Sequence, residues 1–166
     1  LYGEESIDQA VVKIGVSEVG QGVLAVVGQV AAETLGIAYE RVQVINEDSS
    51  EVPEAGSCSA SRLSFMSGNA VKITCEAALE AWRKGDRPAG AARTYRPRPT
   101  TMFDPETGVC DPHVTYGYGT QIAEVEVNTT TGEVQLTKVW AAHDVGQAIN
   151  PMHVEGQIQG AISQAQ

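Results

Sequence analysis

Apolar and polar positions along this chain change period several times, and each change marks the edge of an element. Between Ala10 and Ser17, the residues Ala10, Val12, Ile14 and Val16 alternate with Val11, Lys13 and Gly15, a period of two that predicts a strand. From Val23 the period lengthens. Val23, Val27, Val30, Ala31 and Leu35 recur at helical spacing, and Gly36 stands where helices commonly stop in the left-handed conformation. Arg41 to Asn46 returns to strand, with Val42 and Val44 on one face and Ile45 on the other. Strand, helix and strand over this distance predict a βαβ-like unit. Glu47 to Ser61 is rich in Ser, Glu, Gly and Pro, sustains neither period, and reads as a long loop of the kind that more often carries function. A second helix is predicted from Ser67: Val71, Cys75, Ala78, Leu79 and Trp82 share a face, Lys72 and Glu76 lie on the other, and Gly85 ends it.

Residues 85–119 hold five of the seven prolines (Pro88, Pro97, Pro99, Pro105 and Pro112) and a small basic cluster of Arg93, Arg96 and Arg98, which reads as a connector. Alternation resumes in Thr120 to Val127 and Glu133 to Ala141, and Asn128-Thr129-Thr130-Thr131-Gly132 supplies the turn of a hairpin, with Gly132 suited to a positive φ. A polar turn from His143 to Pro151 then leads into a helix starting near His153. The fold class expected is α+β: a mixed sheet with a βαβ-like unit, two main helices and a β-hairpin. Three segments follow: 1–84 as a strand-helix-strand-loop-helix unit, 85–119 as connector, and 120–166 as hairpin and the start of a further helix.

Composition narrows the classes. At 166 residues with 42% hydrophobic and 19% charged content, the chain can bury a core of ordinary size. A formal charge of −10 argues against a nucleic-acid backbone, which needs a basic face, and against docking on anionic membranes. No run is long and apolar enough for a membrane span, and no basic-then-apolar leader opens the chain. Cys58, Cys75 and Cys110 are odd in number and lack CxxC spacing, which disfavours a disulfide framework or a zinc ribbon and fits a reducing cytoplasm. The chain begins at Leu1 and finishes at Gln166 inside a predicted helix, as expected of a piece of something larger.

The candidate chemistry centres on Glu18-Val19-Gly20-Gln21-Gly22, between the first strand and the first helix. Two glycines allow a sharp turn and close approach of a ligand to the main chain. The first N–H groups of the helix have no internal partner and are expected to point into the crevice, where an anionic or amide-rich ligand belongs. Gln21 adds a carboxamide that both donates and accepts. The same residues fit a dinucleotide fingerprint, Gly20-Gln21-Gly22-Val23-Leu24-Ala25, with Glu47 or Asp48 closing the next apolar run; they also fit a tight turn with no ligand. Ala55 to Arg62 is a run of small residues ending in a guanidinium, able to expose backbone N–H groups, hydroxyls and a planar donor fork. A Ser or Cys nucleophile finds no elbow motif and no placed base. His153-x-Glu155 lacks the Pro-Cys-x-x-Cys of a deaminase zinc site, and His143 beside Asp144 fits either a tuned base or a hydrogen-bonded strand end.

Four blocks, in order, resemble the molybdopterin-binding large subunit of the xanthine dehydrogenase and aldehyde oxidase family. They are Ser17-Glu18-Val19-Gly20-Gln21-Gly22; Ala31-Ala32-Glu33-Thr34-Leu35-Gly36; Gly56-Ser57-Cys58-Ser59-Ala60-Ser61-Arg62 with Met66-Ser67-Gly68-Asn69-Ala70; and the stretch from Glu124-Val125-Glu126-Val127 through Thr131-Gly132-Glu133-Val134 and His143-Asp144-Val145-Gly146 to Asn150-Pro151 and Glu155-Gly156-Gln157. The wording of the third block is similar to the hydroxybenzoyl-CoA reductase and bacterial aldehyde oxidoreductase branches. The resemblance implies a cofactor-binding lobe in which Gly20, Gln21, Gly22, Ala60, Ser61, Arg62 and Gln157 line the pterin and its phosphates. It implies molybdopterin, as such or as the cytosine dinucleotide, with molybdenum held by the cofactor's own dithiolene sulfurs and no protein metal ligand. It further implies a small-molecule substrate (an aldehyde, an N-heterocycle or an acyl-CoA), iron–sulfur and flavin domains or subunits as partners, and a homo-oligomeric complete enzyme. The family's catalytic glutamate lies further toward the C-terminus than this chain reaches, so no catalytic residue is assigned. The fragment alone is expected to be inactive and to hold no cofactor.

Overall fold

The computed structural model describes residues 1–59 and 61–165, and these divide into two compact units, Leu1–Pro97 and Arg98–Gln166. In the first, β1 (Ala10–Lys13) pairs in parallel with β2 (Val42–Ile45) in the register Ala10↔Val42 to Lys13↔Ile45, and α1 (Val23–Leu35) connects them. The βαβ-like unit is therefore present. β1 is shorter than the alternation suggests because Ile14 donates to Ile45 and the chain then leaves the ladder; Gly15 instead forms an isolated parallel bridge with Glu54. α1 ends where Gly36 turns left-handed, at φ 67°, and returns its N–H to Ala32 and Glu33.

The second helix, α2 (Leu63–Arg83), begins a full turn before the Ser67 start expected from the pattern. Leu63 is buried in the core, and burying it makes the extra turn favourable. Ser67 and Gly68 are therefore interior residues at the contact with α1: a Cβ on Gly68 would stand 3.9 Å from Val30. Ala10, Ile14, Val16, Val23, Val27, Ala31, Leu35, Leu63, Val71 and Cys75 form one hydrophobic cluster between the strand pair and the helices. A smaller cluster of Ile7, Trp82 and Ala89 receives Ile37 and Leu79. Since Ile37 follows α1 and Trp82 closes α2, the C-terminal ends of the two helices meet at this cluster.

In the second unit, β3 (Tyr118–Val127) pairs antiparallel with β4 (Val134–Asp144), and α3 (Pro151–Gln164) follows. Each strand is longer than predicted, so His143 and Asp144 belong to the ladder and not to a turn. Asn128 accepts from Thr130 and Thr131, and Gly132 has φ 77°, as its place in the turn requires. A bulge follows Glu124, where Thr137 is the extra residue and its hydroxyl donates to the Glu124 carbonyl. The expected mixed sheet is thus one parallel pair and one antiparallel pair, each a separate two-stranded sheet. α3 opens with Pro151 in its first turn and the Asn150 side chain accepting from the His153 N–H, two residues earlier than expected. Among the described residues, no helix is long and apolar enough to cross a membrane.

Candidate functional site

The turn between β1 and α1 is organised by Glu18. Its Oε1 accepts from the N–H groups of Gly20 (2.8 Å) and Gly22 (3.0 Å), and its Oε2 accepts from Leu24 (3.1 Å). Burial pushes the Glu18 carboxyl upward, but the N–H groups of Gly22, Leu24, Gly20 and Val23 outweigh it and hold the group below the usual carboxylate range. The amides expected to point at a ligand therefore already serve a carboxylate of the same chain. Gly20 and Gly22 have φ of 98° and 82°, a conformation open to glycine, and a Cβ on Gly20 would meet nothing within 4 Å. The carboxamide of Gln21 folds over the turn: Oε1 accepts from Val19 (2.7 Å) and Nε2 donates to the Ser17 carbonyl (2.9 Å). The carbonyl of Val16 accepts from Asn46 Nδ2 at 3.1 Å, which ties the start of the turn to the end of β2.

The small-residue loop is braced in the same manner. Arg62, expected to offer its fork to a ligand, donates through Nη1 to the carbonyls of Ala55 (3.2 Å) and Ser57 (2.9 Å), closing the loop on itself. Ser61 sits at φ 52°, in the left-handed region that a non-glycine residue rarely occupies. Ala60 lies outside the described residues. Backbone contact brings this loop beside the turn. A Cβ on Gly15 would stand 2.0 Å from the Pro53 carbonyl oxygen, so only glycine admits the pairing with Glu54, three residues before Glu18. Lys13 Nζ reaches Glu51 at 2.8 Å across the same seam.

Gly20, Gln21, Gly22, Ser61 and Arg62 thus share one unit, with their two segments tied together through Gly15 and Glu54. Gln157 belongs to the other unit, where it is exposed on α3. Gly156 beside it, expected to mark a close approach, has open space within its unit, as does Gly160. His143 lies over Gly119, where a Cβ would meet its ring nitrogen at 2.8 Å, and Asp144 accepts from the Gly146 N–H instead of pairing with that imidazole. No group of three or more His, Cys, Asp or Glu residues suited to a metal ion occurs among the described residues. Sequence reasoning missed Glu18 as the partner of the helix amides. The available signal was an acidic residue just ahead of a glycine turn with no other cap.

The dinucleotide alternative fits poorly. Its parallel sheet does not continue beyond two strands among the described residues, and Asp48 is engaged in its own turn with Ser50. The model of the molybdopterin cofactor-binding domain family matches residues 6–89 and 85–166, and the chain belongs to that family. Aldehyde oxidoreductase from Megalodesulfovibrio gigas is 29% identical over 147 residues, covering 81% of this chain and 16% of the relative. Xanthine dehydrogenase from Drosophila pseudoobscura pseudoobscura is 31% identical over 186 residues, covering 99% of this chain and 13% of its own length. The solved aldehyde oxidoreductase from Desulfovibrio gigas superposes with a TM-score of 0.85 at 27% identity, over 94% of this chain and 19% of that one. The chain therefore spans less than a fifth of each of these proteins. Another relative, from Paenarthrobacter nicotinovorans, is named as subunit gamma of a dehydrogenase complex.

Proposed function

We propose that this chain forms part of the molybdopterin site of a molybdenum-dependent oxidoreductase, with Gly20, Gln21, Gly22, Ala60, Ser61, Arg62 and Gln157 as its cofactor residues. The observation that carries this reading is the pairing of Gly15 with Glu54, which ties the segment leading into the glycine turn before α1 to the serine-rich loop that leads into α2. The residues fit a flat heterocycle rich in oxygen and nitrogen: Gly20 leaves its Cβ side open, and Gln21 keeps one amide proton beyond the one given to Ser17. Ser61, held left-handed, is a strained residue of the kind that collects at ligand sites. When bound, the cofactor supplies the redox chemistry of molybdenum, and the protein supplies positioning. Arg62 keeps the loop closed, and Gln21 keeps its carboxamide in one orientation.

The names of the relatives support a small-molecule substrate such as an aldehyde or N-heterocycle, and the resemblance of the Gly56–Arg62 block adds an acyl-CoA as a further class. Iron–sulfur and flavin domains or subunits then carry electrons away, in a homo-oligomeric cytoplasmic enzyme. Metal analysis and pterin extraction of the full-length polypeptide test this reading. Molybdenum and a pterin in near-equal amounts are expected, and a nicotinamide without molybdenum refutes it. Residues 1–166 expressed alone are expected to retain no pterin; tight retention would count against that expectation.

A further inference from the structure

Three hydrogen bonds converge on one side chain whose role the family assignment leaves open. Gly20 and Gly22, in the turn, and Leu24, in the first turn of α1, all donate to the Glu18 carboxylate. A helix N-terminus free of such a partner is an anion site; here the anion is built into the chain. A phosphate approaching the same amides would have to displace a carboxylate bonded through both oxygens, and would meet its negative charge on the way. Gln21 points to the same conclusion. With Oε1 receiving Val19 N–H and Nε2 donating to Ser17, its amide cannot rotate without facing donor to donor and acceptor to acceptor.

We propose that Glu18 is a positioning residue that closes the amides of Gly20, Gly22 and Leu24 to phosphate and holds the Gly20–Gly22 turn in shape, so that the turn meets the pterin through the remaining Nε2 proton of Gln21 while the cofactor's phosphate is bound elsewhere. This rests on the reading that the turn lines the pterin site. It replaces the expectation of a phosphate at the helix terminus with a neutral, acceptor-rich part of the same ligand.

The test uses hydrogen exchange of peptides spanning residues 17–24 in the full-length polypeptide, for the native protein, Glu18→Gln and Glu18→Ala, with and without inorganic phosphate. Native exchange is expected to be slow and indifferent to phosphate. In Glu18→Gln, whose amide opposes the Leu24 N–H, exchange rises about tenfold or more. In Glu18→Ala the vacated amides become sensitive to phosphate, which slows them again. Native exchange that phosphate slows, or a Glu18→Gln protein that exchanges as slowly as the native one, overturns the proposal. Molybdenum and pterin content measured on the same preparations separates the two readings. Native protein without molybdenum but with the expected exchange behaviour removes the cofactor assignment and leaves the closed amides standing; molybdenum-loaded protein with phosphate-sensitive native amides does the reverse.

Discussion

Leu1–Pro97 buries its apolar side chains, whereas among the described residues of Arg98–Gln166 none is buried. Val27 and Ala31 are fully enclosed in the first unit, while in the second Ile122, Val125, Trp140 and Met152 are exposed at 61%, 49%, 44% and 73%. Yet the strands of the second unit, of 10 and 11 residues, are longer than the 4-residue strands of the first. The second is maintained by what is local: a hairpin ladder, the Asn128 turn, the Asn150 cap and Lys138 lying over the Trp140 ring at 4.6 Å. Backbone pairing and capping define its shape, and packing defines the shape of the first. The glycine turn and the serine-rich loop belong to the packed unit, where neighbouring elements hold their positions to within hydrogen-bond distances.

The two units are expected to part most widely in thiol chemistry. Burial pushes the Cys75 thiol up to about 11, whereas Cys110 is exposed. A disulfide reagent near neutral pH should modify the buried Cys75 at least about a hundredfold more slowly than the exposed Cys110, since the reagent needs access and the thiolate is the reacting form. Comparable rates would mean that the first unit opens freely. Next in size is Val27→Ala, which is expected to cost about 2 kcal/mol in urea unfolding of the first unit, through lost contacts and the cavity left behind.

Glu18→Gln is expected to cost about 1–2 kcal/mol by the same measurement, because one acceptor of charge-assisted bonds becomes a donor facing a donor. The sign with pH follows from the lowered carboxyl. Its stabilisation is fully present above the ordinary glutamate value of about 4.3, and it is lost as pH falls through the lower folded value. Native protein and Glu18→Gln should therefore converge in stability under acid. Asn150→Ala is expected to loosen the start of α3 by about 1 kcal/mol, visible as faster exchange at His153. Smallest of all, Ile122→Ala should change stability by no more than about 0.5 kcal/mol, as for other exposed positions. A loss there as large as at Val27 would erase the distinction between the units.

Elements whose reasons are local were legible in the residues themselves. Helical spacing from Val23 to Leu35 with Gly36 behind it, and alternation on either side of an Asn-to-Gly turn, each specify backbone geometry within one window of chain. The start of α2 was not legible, because Leu63 joins the helix for the sake of a core that includes residues of β1 and α1. Neither was the role of Arg62, read as a donor for a ligand but engaged by the carbonyls of Ala55 and Ser57. The first is settled by where distant segments come to rest, the second by how the loop of residues 55–62 folds back on itself.

The sequence by itself determined the order of strands and helices, the glycine turn, the hairpin and the family resemblance, since periodicity, turn chemistry and motif wording are carried by neighbouring residues. Only the tertiary structure decided that the Glu18 carboxylate takes the amides of Gly20, Gly22 and Leu24 and that Gly15 admits Glu54 beside the turn. The physical reason is that hydrogen bonds and close contacts depend on distances of a few tenths of an ångström, and packing sets these where spacing along the chain does not.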